Sequence, residues 1–135
     1  MPDHSLRTIG YVRSTLRTLG DAPRQGQEGA PDAWLEIDAV FARGLLGMHA
    51  GNEVIVVTWL HRADREVLET HPRNDPASPL TGVFLTRSPD RPNPLGLHRV
   101  TVHEIRGTSL RVGPIEAIDG TPVVDIKAVL NVADM

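Results

Sequence analysis

The sequence has no cysteine, and this absence removes several classes of protein at once. Disulfide scaffolds, zinc–cysteine sites, iron–sulfur clusters and cysteine nucleophiles all require a thiol. Aromatic residues are also scarce, at 4% of the 135 residues. A base-stacking platform for single-stranded nucleic acid needs several aromatic side chains, so this class of binding protein is disfavoured.

Long apolar runs and a basic net charge are missing too. No apolar stretch approaches the roughly 18 residues of a membrane span, and residues 1–10 lack the apolar core of a signal peptide. We therefore expect a cytoplasmic protein with no membrane partner. The formal net charge of −3 gives no reason to expect DNA as a partner. The length predicts a single domain over residues 1–135.

The basic residues are unusual in kind, because thirteen of the fourteen are arginine and Lys127 is the single lysine. The arginine side chain is a planar fork that binds carboxylate and phosphate groups through paired hydrogen bonds. Replacement of lysine by arginine in a GC-rich genome explains the same count, so both interpretations stay open.

The apolar pattern predicts a mostly β protein. A short helix is predicted over residues 40–47 and a long surface loop over 62–79. The segment 53–61 is apolar on both faces, which predicts a central, buried strand. Close spacing and turns favour a small antiparallel barrel, or a sandwich, of six or seven strands with long loops. The strands are predicted over residues 7–14, 33–37, 53–61, 81–86, 99–105, 109–112 and 123–127.

Standard catalytic and nucleotide-binding signatures are absent. The sequence has no Walker lysine motif, no G-x-S-x-G elbow and no H-E-x-x-H metal motif. The six histidines do not stand at metal-ligand spacing with carboxylates. We therefore expect no bound metal.

The most unusual segment is 86–97, with the sequence T-R-S-P-D-R-P-N-P-L-G-L. Its three prolines fix the backbone, so Arg87, Arg91 and Asn93 are carried on a stiff loop. Such a loop suits an anionic or zwitterionic small molecule, because little ordering entropy remains to be lost on binding. In the alternative interpretation, the arginines cap carbonyls or pair with Asp90.

Two shorter segments offer similar chemistry. Residues 23–25, Pro-Arg-Gln, combine a guanidinium with an amide that can recognise a base edge. Residues 119–122, Asp-Gly-Thr-Pro, are typical of a plain turn when taken alone.

Charged residues at the strand ends give further candidates. Asp125 and Lys127 are two residues apart on one predicted strand, so both point to one face. They form either an acid–base pair at the mouth of the barrel or a surface ion pair. His61 and Arg62 end the most buried strand, where a histidine is commonly a packed polar residue.

Taken together, these segments resemble one family. The sequence GVFLTRSPDRPNPLGL over residues 82–97 resembles the signature of the TsaA-like family, whose best-known members are the TrmO tRNA methyltransferases. Further elements match in the same order and cover nearly the whole chain: IGYVRS at 9–14, PRQ at 23–25, WLH at 59–61, DGTP at 119–122 and DIK at 125–127.

The resemblance implies a small β-barrel that forms a homodimer and binds S-adenosylmethionine near the subunit interface. It implies methylation of N6 of threonylcarbamoyladenosine at tRNA position 37. Because the chain ends at Met135, a short form without the C-terminal domain of longer members is expected. Two alternatives stay open: a methyltransferase of this fold with another acceptor, and a non-catalytic S-adenosylmethionine-binding dimer.

Site residues follow from the resemblance by position in each motif. Arg91 and Asn93 are the expected substrate-binding residues. Asp125 and Lys127 are the candidates for handling or positioning the proton that leaves the acceptor nitrogen. The expected cofactor contacts are Pro23, Arg24, Gln25, His61, Arg62, Arg87, Leu97, Asp119, Gly120, Thr121 and Pro122.

Overall fold

In the computed structural model, which describes residues 4–17 and 29–130, six strands close into an antiparallel barrel. Around the barrel the order is β1-β2-β7-β6-β3-β8, and β4 and β5 form a separate two-stranded sheet. The predicted small barrel is confirmed, and the sandwich alternative is excluded. The strands are β1 (Gly10–Arg13), β2 (Ala33–Ile37), β3 (Glu53–Trp59), β4 (Glu69–Thr70), β5 (Thr81–Gly82), β6 (Leu95–Arg106), β7 (Ser109–Gly113) and β8 (Pro122–Ala128).

Alternating side chains fill the interior of the barrel. Along β2, every second residue is buried, and Leu35 has no exposed surface. Leu110 of β7 and Val123 of β8 point into the same core. Strand β3 lies between β6 and β8, and four of its seven residues are buried, so the predicted central strand is confirmed.

Several predicted elements were wrong in form or extent. The loop predicted over 62–79 carries β4 and a 3-10 helix over Pro72–Asn74, and the strand predicted over 7–14 is limited to Gly10–Arg13. The strand predicted over 81–86 covers only Thr81–Gly82, because Val83–Leu85 turn into a 3-10 helix. Only Val83 of this apolar run is buried, so the run does not follow the pattern of a buried strand. The predicted helix is a 3-10 helix over Ala39–Leu45, which packs Phe41 and Leu45 against the core.

Strand β6 begins at Leu95, earlier than predicted, because the alternation of buried and exposed residues continues back to that position. The register of β6 against β7 shifts between Val102 and Glu104, as in a β-bulge. Among the described residues, no helix has the length and apolar character needed to cross a bilayer.

The strand directions place the connecting segments at two ends of the barrel. Trp59 pairs with Leu95, and Thr58 pairs with Val123, so the end of β3 lies beside the beginnings of β6 and β8. The end of β1 lies there as well, because Tyr11 pairs with Pro122. We call this the loop end. The opposite end, here the helix end, carries the 3-10 helix Ala39–Leu45.

Candidate functional site

The loop end gathers three of the segments that the sequence singles out. The turn with His61 and Arg62 follows β3, the proline-rich loop of residues 86–94 precedes β6, and the turn of residues 119–121 precedes β8. Adjacent strand ends therefore place these candidate residues at one end of the barrel. Residues 23–25, with the predicted contacts Pro23, Arg24 and Gln25, lie outside the described residues.

The turn after β3 is fastened to the proline-rich loop. The amide of Asp64 donates to Asp90 Oδ1 at 2.8 Å, and the amide of Leu60 donates to the carbonyl of Pro94 at 2.8 Å. Asp90 thus caps a backbone amide and makes no arginine pair within the described residues. The two segments form one connected unit.

Arg65 strengthens this connection, although the sequence did not point to it. Its Nε donates to the carbonyl of Pro92 at 2.8 Å, and its Nη2 lies 3.4 Å from Asn93 Oδ1. Its guanidinium also lies over the ring of Trp59. Along the chain, Arg65 is 27 residues from Pro92 and 28 from Asn93, so no spacing rule reveals these contacts.

Arg91 is used inside the proline-rich loop. Its Nη1 donates to the carbonyls of Thr86 and Ser88 at 2.9 and 3.0 Å. This is the carbonyl-capping role that the alternative interpretation expects. A contact of Arg91 or Asn93 with a substrate stays a prediction.

Three basic side chains at the loop end take no part in the hydrogen bonds that hold these loops together. His61, Arg62 and Arg87 are exposed and make no side-chain hydrogen bond or ion pair in the part of the chain that the structure describes. Other residues hold the turn after β3 and the proline-rich loop together, so these three side chains are available to a ligand.

The turn before β8 is bound to the strand that precedes residues 18–28. Asp119 Oδ1 accepts the amide of Ser14 at 2.9 Å, and its Oδ2 pairs with Arg17 Nη1 at 3.0 Å. Gly120 has φ of 84°, which favours glycine, and its amide donates to the carbonyl of Val12 at 2.7 Å. The Asp119 carboxylate therefore already has structural partners.

Asp125 and Lys127 lie on one face of β8, as their spacing predicts, and this face is turned outward. Lys127 Nζ is 3.2 Å from Asp125 Oδ2, and the two side chains are 68% and 50% exposed. Leu97 and Asp125 both pair with Val57, so they face outward two strands apart. No hydrogen bond or ion pair in the described residues joins Asp125 or Lys127 to the loops that carry Arg62 and Arg87.

Asp125 also borders a mostly apolar groove of about 400 Å³ beside the 3-10 helix Ala39–Leu45. The groove's apolar lining includes Ile9, Phe41 and Met48. Its lining also includes the exposed Arg43, but it lies at the helix end, away from His61, Arg62 and Arg87, and we do not assign the ligand site to it. Within residues 4–17 and 29–130, no three acidic, histidine or cysteine side chains are grouped to hold a metal ion.

Comparison with known proteins identifies the family. The sequence model of the "tRNA-methyltransferase O N-terminal domain" matches residues 11–135. The chain belongs to this TrmO family. A crystal structure of TrmO from Pseudomonas aeruginosa superposes with a TM-score of 0.76 and 31% identity, over 98% of this chain and 59% of that chain.

Relatives of different length carry the same domain. An "S-adenosyl-L-methionine-binding protein" of Archaeoglobus fulgidus is 39% identical over 122 residues, which cover 90% of this chain and 86% of the relative. A longer protein of that organism, named "Probable S-adenosyl-L-methionine-binding protein", is 41% identical over 129 residues. That match covers 96% of this chain and 35% of the relative, so the chain corresponds to about a third of the longer protein.

Proposed function

We propose that this chain binds S-adenosylmethionine at the loop end and methylates tRNA, at N6 of threonylcarbamoyladenosine 37. The observation that carries the proposal is the exposed, unpaired state of Arg62 and Arg87 on a stiff frame, in a chain of the TrmO family. A guanidinium fork suits the carboxylate of the methionine part of the cofactor.

The surrounding residues fit the other parts of this cofactor. Leu97 offers an apolar surface on the outer face of β6, and the turn of residues 119–121 lies at the same end. Because the proline-rich loop is already tied to the turn after β3, binding costs little ordering entropy. Pro23, Arg24 and Gln25 remain proposed contacts from the resemblance.

When bound, the cofactor supplies a methyl group on a sulfonium, whose leaving group is neutral. Catalysis by this chain then rests largely on holding the cofactor and the acceptor nitrogen in line. We propose Asp125 and Lys127 as the groups that position or accept the departing proton, and Arg91 and Asn93 as substrate contacts. The Asp125 carboxylate is half exposed, and its partners in the structure are Lys127 Nζ at 3.2 Å and the amide of Ile126 at 2.9 Å.

A homodimer is part of the proposal. Phe84 and Leu85 are 80% and 86% exposed, and Leu68 and Leu80 of the same β4–β5 unit are also largely exposed. Large apolar side chains grouped in this way are typical of an interaction surface. We propose that a second copy of the chain covers them, next to the loop end, in a cytoplasmic enzyme.

The test is a titration followed by a transfer assay. Calorimetry with S-adenosylmethionine and with S-adenosylhomocysteine should give saturable binding near one molecule per subunit. Methyl transfer from labelled cofactor should then modify tRNA that carries threonylcarbamoyladenosine, and should leave tRNA prepared without this modification unlabelled. Absence of binding to a folded protein freed of copurified ligand would overturn the proposal.

A second candidate is a dimer that binds the cofactor without transferring its methyl group. The exposed ion pair of Asp125 and Lys127 favours it, because the two groups are paired with each other and no hydrogen bond in the described residues joins either to the loops that carry Arg62 and Arg87. Binding of the cofactor without label in either tRNA would support this candidate. Label in the tRNA that lacks threonylcarbamoyladenosine would instead indicate another acceptor.

A further inference from the structure

A buried chain of hydrogen bonds crosses the interior of the barrel beneath the loop end. His98 Nδ1 lies 2.6 Å from Glu116 Oε1, and His98 Nε2 lies 2.7 Å from Thr58 Oγ1. His98 is 5% exposed and Thr58 is fully buried. The Nδ1–H of His98 donates to the Glu116 carboxylate, and Nε2 shares a hydrogen bond with the Thr58 hydroxyl.

The order hydroxyl, imidazole and carboxylate is that of a catalytic triad, but access excludes this role. Thr58 has no exposed surface, and Gly96 packs directly over the pair. A Cβ on Gly96 would lie 2.6 Å from Thr58 Oγ1 and 2.8 Å from His98 Nε2. The Thr58 hydroxyl cannot reach a substrate, so the chain of bonds holds parts of the protein together.

The three residues come from three different parts of the loop end. Thr58 is at the end of β3, just before the turn with Arg62, and His98 follows the proline-rich loop on β6. Glu116 lies in the segment between β7 and the turn that contains Asp119, and its neighbours Ile115 and Ala117 are buried. One imidazole therefore connects the three described segments that carry candidate cofactor contacts.

We propose that His98 is a positioning residue for the cofactor site. Through Glu116 it fixes the turn of residues 119–122 relative to the loops that carry Arg62 and Arg87, and so sets the affinity for S-adenosylmethionine. This inference rests on the proposed function. It assigns no contact with the cofactor to His98 or Glu116.

The first test compares two variants at Glu116. Glu116→Ala removes the acceptor and should weaken S-adenosylmethionine binding about tenfold in calorimetry. Glu116→Gln keeps an acceptor oxygen and should stay within about threefold of the unmodified protein. Val102→Ala is the control, because Val102 is fully buried on β6 but lies beyond this chain of bonds, so it loses stability without loss of affinity.

A second readout needs no cofactor. The amides of Asp119 and Gly120 donate to the carbonyls of Leu16 and Val12, so their hydrogen exchange reports the order of the turn. After allowance for each variant's free energy of unfolding, Glu116→Ala should accelerate exchange at both amides more than Val102→Ala does.

The outcomes separate this inference from the proposed function. If the unmodified protein binds the cofactor and Glu116→Ala binds it equally well, His98 is not a positioning residue, and the proposed function stands. If the unmodified protein fails to bind, the proposed function falls. In that case the exchange data test whether Glu116 fixes the turn of residues 119–122. Unchanged exchange in Glu116→Ala would overturn this link.

Discussion

The guanidinium of Arg65 lies over the indole ring of Trp59, with Cζ 5.0 Å from the ring centroid. The same guanidinium donates to the carbonyl of Pro92, so one side chain ties the end of β3 to the proline-rich loop. Arg65→Ala should therefore lower the free energy of unfolding by about 1–2 kcal/mol. It should also speed amide exchange in residues 86–94. Urea unfolding and hydrogen exchange measure the two effects.

Arg99→Ala is the matched control for this substitution. Arg99 pairs with Glu53 on the barrel surface, and the two side chains are 66% and 51% exposed. An exposed pair of this kind contributes less than about 1 kcal/mol, so the control should be nearly neutral. Equal losses in the two variants would show that Arg65 contributes no more than a surface charge.

Substitution of Arg87 should weaken cofactor binding without changing the stability of the fold. The side chain is exposed and has no partner among the described residues, so Arg87→Ala should leave the free energy of unfolding within about 0.5 kcal/mol. Loss of its fork should weaken S-adenosylmethionine binding by about 1.5–3 kcal/mol, measured by calorimetry. Arg99→Ala removes the same charge elsewhere and should bind normally. Unchanged affinity in folded Arg87→Ala would remove this residue from the site.

Strands with regular patterns could be predicted closely from the sequence. The strand predicted over residues 33–37 has the bounds of β2, and the β-branched run from residue 53 predicted the central strand β3. The strand predicted over residues 81–86 was wrong beyond Gly82. Its apolar residues suggested a strand, whereas Phe84 and Leu85 are exposed after the chain turns. An apolar run does not indicate whether its residues face the core or another surface.

The site could be predicted in part. Period-two spacing correctly placed Asp125 and Lys127 on one face, but it carries no information on exposure. The contacts that organise the loop end join residues on different elements, as His98 and Glu116 do across the barrel interior. Such pairs follow from strand order and register, which a single sequence leaves open.

The apolar surface of the β4–β5 unit should control association. The double substitution Phe84→Ser and Leu85→Ser should shift the proposed dimer toward monomer in sedimentation equilibrium, because it removes two side chains that are 80% and 86% exposed in one copy. Val40→Ser is the control, since Val40 is 81% exposed at the helix end. A double variant as dimeric as the unmodified protein would place the interface elsewhere.

Two glycines of the 82–97 motif should respond differently to alanine. Gly96→Ala forces a methyl group against Thr58 and His98, and should lower the free energy of unfolding by about 1–3 kcal/mol. Gly82 has no neighbouring atom within 4 Å of a built Cβ and has φ of −61°, so Gly82→Ala should stay within about 0.5 kcal/mol. Thermal unfolding of the pair measures the contrast. Equal stability would mean that the barrel interior relaxes around the added methyl.

Glu36 gives a prediction for the pH dependence of stability. The Ser109 hydroxyl donates to its carboxylate and lowers the pKa of Glu36, and Arg13, at 2.7 Å, adds to this against an opposing effect of desolvation. Because the folded pKa lies below the unfolded one, Glu36 stabilises the protein at neutral pH. This stabilisation is lost as the pH falls through the folded pKa.

Glu36→Gln should therefore lower the free energy of unfolding at pH 7, by less than about 1 kcal/mol because the side chain is 39% exposed and solvent screens the pair. The difference from the unmodified protein should shrink between about pH 5 and pH 3, as urea titrations at several pH values would show. Glu69→Gln is the control, since Glu69 is exposed and makes no side-chain hydrogen bond or ion pair within residues 4–17 and 29–130. A difference for Glu36→Gln that stays constant down to pH 3 would mean that shape rather than charge links Glu36 to Ser109 and Arg13.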